Sequence, residues 1–410
     1  MTNISDSPHM SAIQPDAWLL DPAVTFLNHG SFGACPRVVL EKQEEIRREL
    51  EREPVDFLVR KMTPLVDENR NVLAGLIGAD PSDMVFVQNA TAGVNSVVRS
   101  LEFRPGDEIL VTAHDYNACR NVIRYVAQRT GAVVVEVPAP LPITSPQQIV
   151  DAVLERVTAR TRLAMLDHIT SPTALVFPVE QLVSELDRRG VDTLIDGAHT
   201  PGMLPLDVTR IGAAYYTGNC HKWLCVPKAV GFLHVRRDRQ QNIQPPIISH
   251  GWNKPRPGYS AFQDGFDWPG TLDPSPWLCI GESIRFLSNL MPGGLEALMK
   301  RNHDLAVLAQ RILCDRLELQ PVGIESMLGS MAAVHLPDNP AAFDSQGNPV
   351  PSEEYRLNNE LFANHHIEVP TFFWPAAPKM LLRVCAQAYN HSAQYEHLAD
   401  VLKKTVVGIG

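Results

Sequence analysis

Residues 193–223, TLIDGAHTPGMLPLDVTRIGAAYYTGNCHKW, carry two chemically loaded points, Asp196 and the pair His221-Lys222, with Lys222 placed 26 positions beyond Asp196. Val191, Thr193, Leu194 and Ile195 form a short apolar, β-branched run that stops at the carboxylate. Ala213, Ala214, Tyr215 and Tyr216 form a second run that ends just before the lysine. Both read as strands. In an open parallel sheet, ligands bind outside the carboxyl ends of the strands, so the stretch predicts an α/β sheet with an acid and an amine facing one crevice.

A lysine in such a place suits Schiff-base chemistry with an aldehyde. If the aldehyde is pyridoxal phosphate, the chain must also supply an acid for the pyridinium nitrogen, a cradle for the phosphate and a flat group over the ring.

The 410 residues allow one large and one smaller domain around a sizeable interior. Lys and Arg number 36 against 46 Asp and Glu, a net charge of −10 with the signs interspersed, which opposes nucleic-acid or anionic-membrane binding as the main activity. Cys35, Cys119, Cys220, Cys225, Cys279, Cys314 and Cys385 are odd in number and contain no C-x-x-C pair, so neither a disulfide framework nor a zinc site is expected. Reduced thiols fit a cytoplasmic setting. The first 36 residues hold no Lys or Arg, and no apolar run reaches membrane-spanning length, so neither a secretory signal nor a membrane span is predicted.

Along the chain, residues 1–24 read as a loosely structured arm of the kind that crosses to a partner subunit, followed by TFLNHGSFGAC at 25–35. An amphipathic helix is predicted over 36–53, with Glu44 and Arg48 as an i,i+4 pair. A strand at 84–88 leads through Asn89-Ala90-Thr91-Ala92-Gly93 into a helix with Val94, Val97, Val98 and Leu101 on one face. Such a helix start binds phosphate through its N–H groups and dipole, although Asn89 or Thr91 serves equally as a plain N-cap. Strands at 108–112, 133–137, 163–166, 191–195 and 230–235 alternate with helices after 117, near 146–157 and at 180–188, a rhythm that predicts a mostly parallel sheet covered on both faces. The turns His114-Asp115-Tyr116-Asn117, Asp167-His168-Ile169-Thr170-Ser171 and Asp196-Gly197-Ala198-His199 all fall at carboxyl ends of these strands. A Pro-, Trp- and Gly-rich stretch at 244–277 precedes a helical region broken at Met291-Pro292-Gly293-Gly294. Strands at 331–336 and 380–384 with a helix near 353–364 then predict a smaller α+β domain. Arg383, inside the last strand, must meet a carboxylate, from the protein or from a ligand.

The motifs LNHGSFGACP with EPVDFL, QNATAGVN, DHITSPTALVFPV, DGAHTPG, GNCHKWLC, WPGTLD and LRVCAQAYN occur in order between Leu27 and Asn390. Over that length the chain resembles the class V group of fold-type I pyridoxal-phosphate enzymes, in the branch named after isopenicillin N epimerase. The resemblance implies an N-terminal arm over 1–35, a large cofactor domain over 36–276 with a mostly parallel seven-stranded sheet, and a smaller α+β domain over 277–410. It makes Lys222 the cofactor-bearing lysine and the acid/base at Cα, and Asp196 the partner of the ring nitrogen. His199 and Ser171 fall near the ring hydroxyl. Thr91, the Ala92 backbone, His221 and Asn219 fall at the phosphate, with Thr271 reaching it from the neighbouring subunit of a homodimer. Related enzymes often carry Ser where Asn219 stands, and many stack a His on the ring where this turn offers Asp115 or Tyr116, of which the aromatic Tyr116 is the choice. Arg383 resembles the arginine that takes a substrate α-carboxylate, and His29 is expected to touch substrate.

The implied reaction acts at the Cα of an amino acid through an external aldimine and a quinonoid. Its outcome is epimerisation, for which His29 and Tyr116 are candidate second proton donors, or β-elimination by a C–S lyase on a cysteine conjugate or sulfoxide, or, less favoured, transamination. A cysteine desulfurase needs a nucleophilic Cys on a mobile loop, and residues 337–379 contain none. A nicotinamide dehydrogenase would carry G-x-G-x-x-G after its first strand, which is absent. A non-enzymatic cofactor-binding regulator would need a DNA-binding segment or a lost lysine, and neither is found. No metal site is expected.

Overall fold

The computed structural model describes residues 10–140 and 142–406. The outer residues of the expected arm (1–9) and of the expected small domain (407–410) lie outside them.

Twelve strands organise the described chain: β1 (Thr25–Phe26), β2 (Met84–Val87), β3 (Glu108–Thr112), β4 (Val133–Val137), β5 (Thr161–Asp167), β6 (Asp192–Gly197), β7 (Tyr215–Asn219), β8 (Gly231–Val235), β9 (Met331–Leu336), β10 (Ile367–Glu368), β11 (Thr371–Phe373) and β12 (Met380–Cys385). Seven of them form one sheet in the order β2-β8-β7-β6-β5-β3-β4. β8 runs antiparallel to β2 and β7, and the other pairs are parallel. The mostly parallel sheet follows from composition: β2, β3, β7 and β8 are buried along their whole length, as strands covered on both faces must be, and edge strand β4 is the most exposed of the seven. Each buried Val, Leu or Ile contributes about 1.5–3 kcal/mol to that packing. The chain steps outward from β3 to β4 and returns inward to β5, so a topological switch point lies between β3 and β5. A crevice opens there at the strand ends.

A three-stranded antiparallel sheet, β11-β12-β9, packs with the helices Gly294–Leu317 and Ser392–Thr405 around a second apolar cluster that includes Leu305, Leu382 and Leu398. The expected break after 290 is real: one helix ends at Ser288 and the next begins at Gly294.

The arm departs from its expectation. Residues 10–35 are not loose but lie along their own chain: β1 pairs in parallel with β10, Ile13 N–H donates to the Ala388 carbonyl at 2.7 Å, and Trp18 is buried edge-on against Phe286 and Tyr389. Two long helices, Met62–Ile77 and Ser392–Thr405, have no counterpart in the sequence reading. In the first, the buried stripe of Val66, Leu73 and Ile77 is interrupted by buried Asn69 and Arg70, the latter paired with Asp67 and Asp267, so the apolar period is broken.

Candidate active site

The ends of β3, β5, β6 and β7 and the first turn of the helix Ala90–Ser100 enclose a cavity of about 240 Å³. Lys222 reaches it from the turn after β7. That turn is tightly built: Cys220 N–H donates to the Val230 carbonyl at 2.9 Å, and Cys225 (φ 55°) and Ala229 (φ 70°) both adopt the left-handed region, at a cost of about 1–3 kcal/mol each. The arm clamps it from outside. Gly33, at φ 71°, passes so close that a Cβ there would overlap the His221 and Lys222 carbonyl oxygens.

Lys222 Nζ lies 3.2 Å from His199 Nε2. Burial, reinforced by the Arg383 guanidinium, lowers the Lys222 pKa to about 8, while the same burial keeps His199 neutral. Across the cavity Asp196 accepts the Ala198 N–H at 2.9 Å and the Cys119 thiol at 3.2 Å. Burial pushes its carboxyl pKa up, and those two donors and Lys222 offset that only in part. A cation placed against Asp196 therefore favours its charged form.

Arg383, on β12, is 1 % exposed. Its Nη1 donates to the Ser171 carbonyl (2.7 Å) and hydroxyl (3.3 Å), and its Nη2 to Ser31 Oγ (3.1 Å) and Asn28 Oδ1 (3.3 Å). Nε has no partner, no carboxylate lies within ion-pair distance among the described residues, and Phe372 sits 5.4 Å from the guanidinium. A buried, always-protonated guanidinium without a counter-charge is a site for an anion.

The Aminotransferase class-V family profile matches residues 26–336. The chain belongs to the class-V aminotransferase family. Isopenicillin N epimerase of Streptomyces clavuligerus is 35% identical over 94% of this chain and 95% of its own length. L-cysteine desulfhydrase of Arabidopsis thaliana is 29% identical over 93% and 88%. A solved structure of a C-DES variant with glycine covalently linked to its PLP cofactor superposes with a TM-score of 0.79 at 21% identity, covering 92% of this chain and 96% of that one. The class-V chain is thus a pyridoxal-phosphate-dependent enzyme of fold type I. Its cavity fits that cofactor: an amine with a lowered pKa, a buried carboxylate short of a cation and the start of a long helix converge on one space.

Of the residues expected to face the cofactor in this class-V site, Thr91, Tyr116, Ser171, Asp196, His199, Asn219, His221 and Lys222 all line the cavity. Asn89 is a true N-cap: its Oδ1 accepts the Ala92 N–H at 2.9 Å. The Ala92 N–H, expected at the phosphate, is bonded to that cap here. Asn219 Oδ1 takes the Ala90 N–H at 2.8 Å, which leaves its amide nitrogen as the donor toward the cavity. His221 Nδ1 meets the Val230 carbonyl at 2.8 Å, and burial lowers its pKa to about 4, so an anion against Nε2 is what would charge it.

His29 is a second correction. It is fully buried and outside the cavity lining, with Nε2 donating to the Lys222 carbonyl at 3.0 Å and Nδ1 accepting the Tyr389 hydroxyl at 2.7 Å. Burial lowers its pKa to about 3, which fits the neutral ring this pattern needs. It braces the lysine's backbone, while Ser31 and Phe32 from the same motif face the cavity. Between the two ring-covering candidates, Asp115 is turned inward onto Thr112 N–H (2.7 Å) and Oγ1 (2.6 Å), whereas Tyr116 is 48% exposed at the cavity. His114 lies behind them, on Thr173 Oγ1 at 2.9 Å and 4.7 Å from the Trp374 ring. Thr271 is exposed and apart from the cavity. The sequence reading gave no role to Asn28, Ser31 or Asp167, although the first two stood in the quoted LNHGSFGACP motif and Asp167 opened DHITSPTALVFPV.

The lowered Lys222 pKa has a kinetic signature. Only the neutral amine condenses with an aldehyde, so the rate at which apoprotein takes up pyridoxal phosphate should rise about tenfold from about pH 7 to about pH 9 and level off above it. A lysine at its ordinary pKa gives instead a log-linear rise without a plateau over that range.

Proposed function

We propose that this class-V enzyme moves protons at the Cα of a small amino-acid substrate, in the manner of isopenicillin N epimerase. The observation that carries the reading is a cavity lysine whose pKa burial lowers to about 8, next to a buried arginine, Arg383, that is bonded to the cavity-lining Ser31 and Ser171 and has no carboxylate within ion-pair distance among the described residues. Arg383 binds the substrate carboxylate, and Lys222, as the neutral amine, takes the Cα proton. When bound, pyridoxal phosphate supplies the sink for the electron pair left at Cα. Asp196 faces the ring nitrogen, His199 and Ser171 the ring hydroxyl, Tyr116 the ring face, and Thr91, Asn219 and His221 the phosphate. Thr271 completes the phosphate site from the neighbouring subunit of a homodimer, a role its exposure leaves open to it.

Inversion needs a donor on the face opposite Lys222. With His29 turned away, Tyr116 is the candidate that remains at the cavity. That loss of one donor favours a second reading, β-elimination of a sulfur leaving group, which needs no second acid; relatives named L-cysteine desulfhydrase point the same way. Transamination ranks below both. The chain divides into an arm to residue 35, a large domain to 276 and a small domain beyond. All seven cysteines are unpaired, in keeping with the cytoplasm, and among the described residues no helix is long and apolar enough to cross a membrane.

The test is to incubate cofactor-loaded enzyme with amino acids and cysteine conjugates in deuterated water and follow them by NMR and chiral chromatography. Cα deuterium with inversion supports the epimerase reading, and pyruvate with released thiol supports elimination. Loaded enzyme that exchanges the Cα proton of none of them defeats both.

A further inference from the structure

Three carboxylates, Asp115, Asp167 and Asp196, stand at the ends of the adjacent strands β3, β5 and β6, with Asp167 directly in register with Asp196. Neighbouring strands lie about 4.8 Å apart. All three are buried, at 3 or 4% exposure. The charged or titratable groups facing Asp167 are Asp115, Asp196, Lys222 and Cys119. One cation cannot balance three buried anions, so the cluster must retain protons.

Donors decide where. Asp115 accepts Thr112 N–H and Oγ1 and, at 3.4 Å, the Asp167 N–H. Asp196 accepts Ala198 N–H and the Cys119 thiol and has the space into which a ring cation fits. Asp167 receives only the Tyr116 N–H on one oxygen; its Oδ1 has no partner, although the residue is buried and lines the cavity. It is the least compensated of the three.

We propose that Asp167 is a positioning residue that carries a proton at neutral pH, so that the Asp167–Asp196 pair presents a single negative charge to the cofactor while Asp167 pins the turn bearing Tyr116. This rests on the placement of Asp196 against the ring nitrogen given above. The physical cause agrees with the electrostatics: burial and the two neighbouring carboxylates hold the Asp167 pKa well above the carboxylate range, whereas Asp115 is pushed up to about 7. An ionised Asp167 would add a second charge beside Asp196; a neutral one contributes a dipole and a tether.

The test follows cofactor-loaded enzyme from about pH 8.5, where Asp115 has ionised, down to about pH 7, where Asp167 must carry its proton. The infrared difference spectrum of wild type minus Asp167→Asn should contain a carboxylic-acid C=O band that shifts in deuterated water, and the wild type minus Asp115→Asn spectrum should lack it. In a spectrophotometric titration, Asp167→Asn, which is neutral and still accepts the Tyr116 N–H, should bind pyridoxal phosphate within about twofold of wild type. Asp167→Leu, which does neither, should bind at least about tenfold more weakly, with a shifted visible band. The proposal is overturned if no acid band is found, if the band survives in Asp167→Asn, or if Asp167→Leu titrates like wild type. Those failures leave a wild-type visible band that Asp196→Asn shifts, whereas a band that Asp196→Asn leaves unmoved is the failure of the cofactor placement.

Discussion

Lys222→Ala should lose the visible band that pyridoxal phosphate gives with the wild type and should slow Cα deuterium exchange by on the order of 10³–10⁴-fold, the range of a positioned acid/base. The size of the effect follows from the surroundings. Among the described residues no other amine lines the cavity: His199 beside Lys222 is kept neutral by burial, and Lys228 is bonded to the Gly33 carbonyl at 2.9 Å. Folding should survive, because removing the buried amine takes away its own desolvation penalty, and Asp196 and Asp167, which lose its charge, can hold their protons instead. Thermal melting of the apoproteins therefore serves as the control. Exchange within about tenfold of wild type in a variant that melts normally would show that another base acts at Cα.

Arg383→Leu is the second large effect, and substrate choice exposes its cause. Truncating one partner of a buried, hydrogen-bonded charge pair costs about 2–5 kcal/mol, which is about 30-fold to 5,000-fold in kcat/KM for a carboxylate-bearing amino acid. The corresponding amine without the carboxylate should lose less than about threefold. Arg383→Lys should not rescue, since a point charge cannot reproduce the fork now spread over Ser171, Ser31 and Asn28. Equal losses for the two substrates would mean that Arg383 holds the cavity wall rather than the ligand.

These expectations rest on features of unequal legibility. Strand ends read well, because a run such as Glu108–Thr112 or Met331–Leu336 is buried on both faces and its apolar residues are contiguous. Asp196 and Lys222 were found for that reason, and so were the turns after them. What the sequence hid is direction. Nothing local tells that His29 points at the Lys222 carbonyl while Ser31, two residues on, points at Arg383, because both partners lie far along the chain. The partner of the Ala92 N–H was hidden for a related reason: Asn89 can cap or stand aside, and only its side-chain rotamer decides. Asp167 went unclaimed because an acid at a strand end has no signature until its neighbours on β3 and β6 are known. The helix Met62–Ile77 was lost to Arg70, whose burial depends on Asp67 and on Asp267 two hundred residues away.

The pairing of β1 with β10 bears on the order in which the protein is made. Thr25 meets Ile367, and Asn28 meets Arg383 across 355 residues of sequence. A ribosome adds roughly 5–20 residues each second, so the arm waits on the order of tens of seconds for its partner strands, with Leu27 and Trp18 still uncovered. Lys222 and Asp196 emerge well before the guanidinium that reads the substrate. The nascent large sheet can therefore take up its cofactor before the protein can recognise what it acts on.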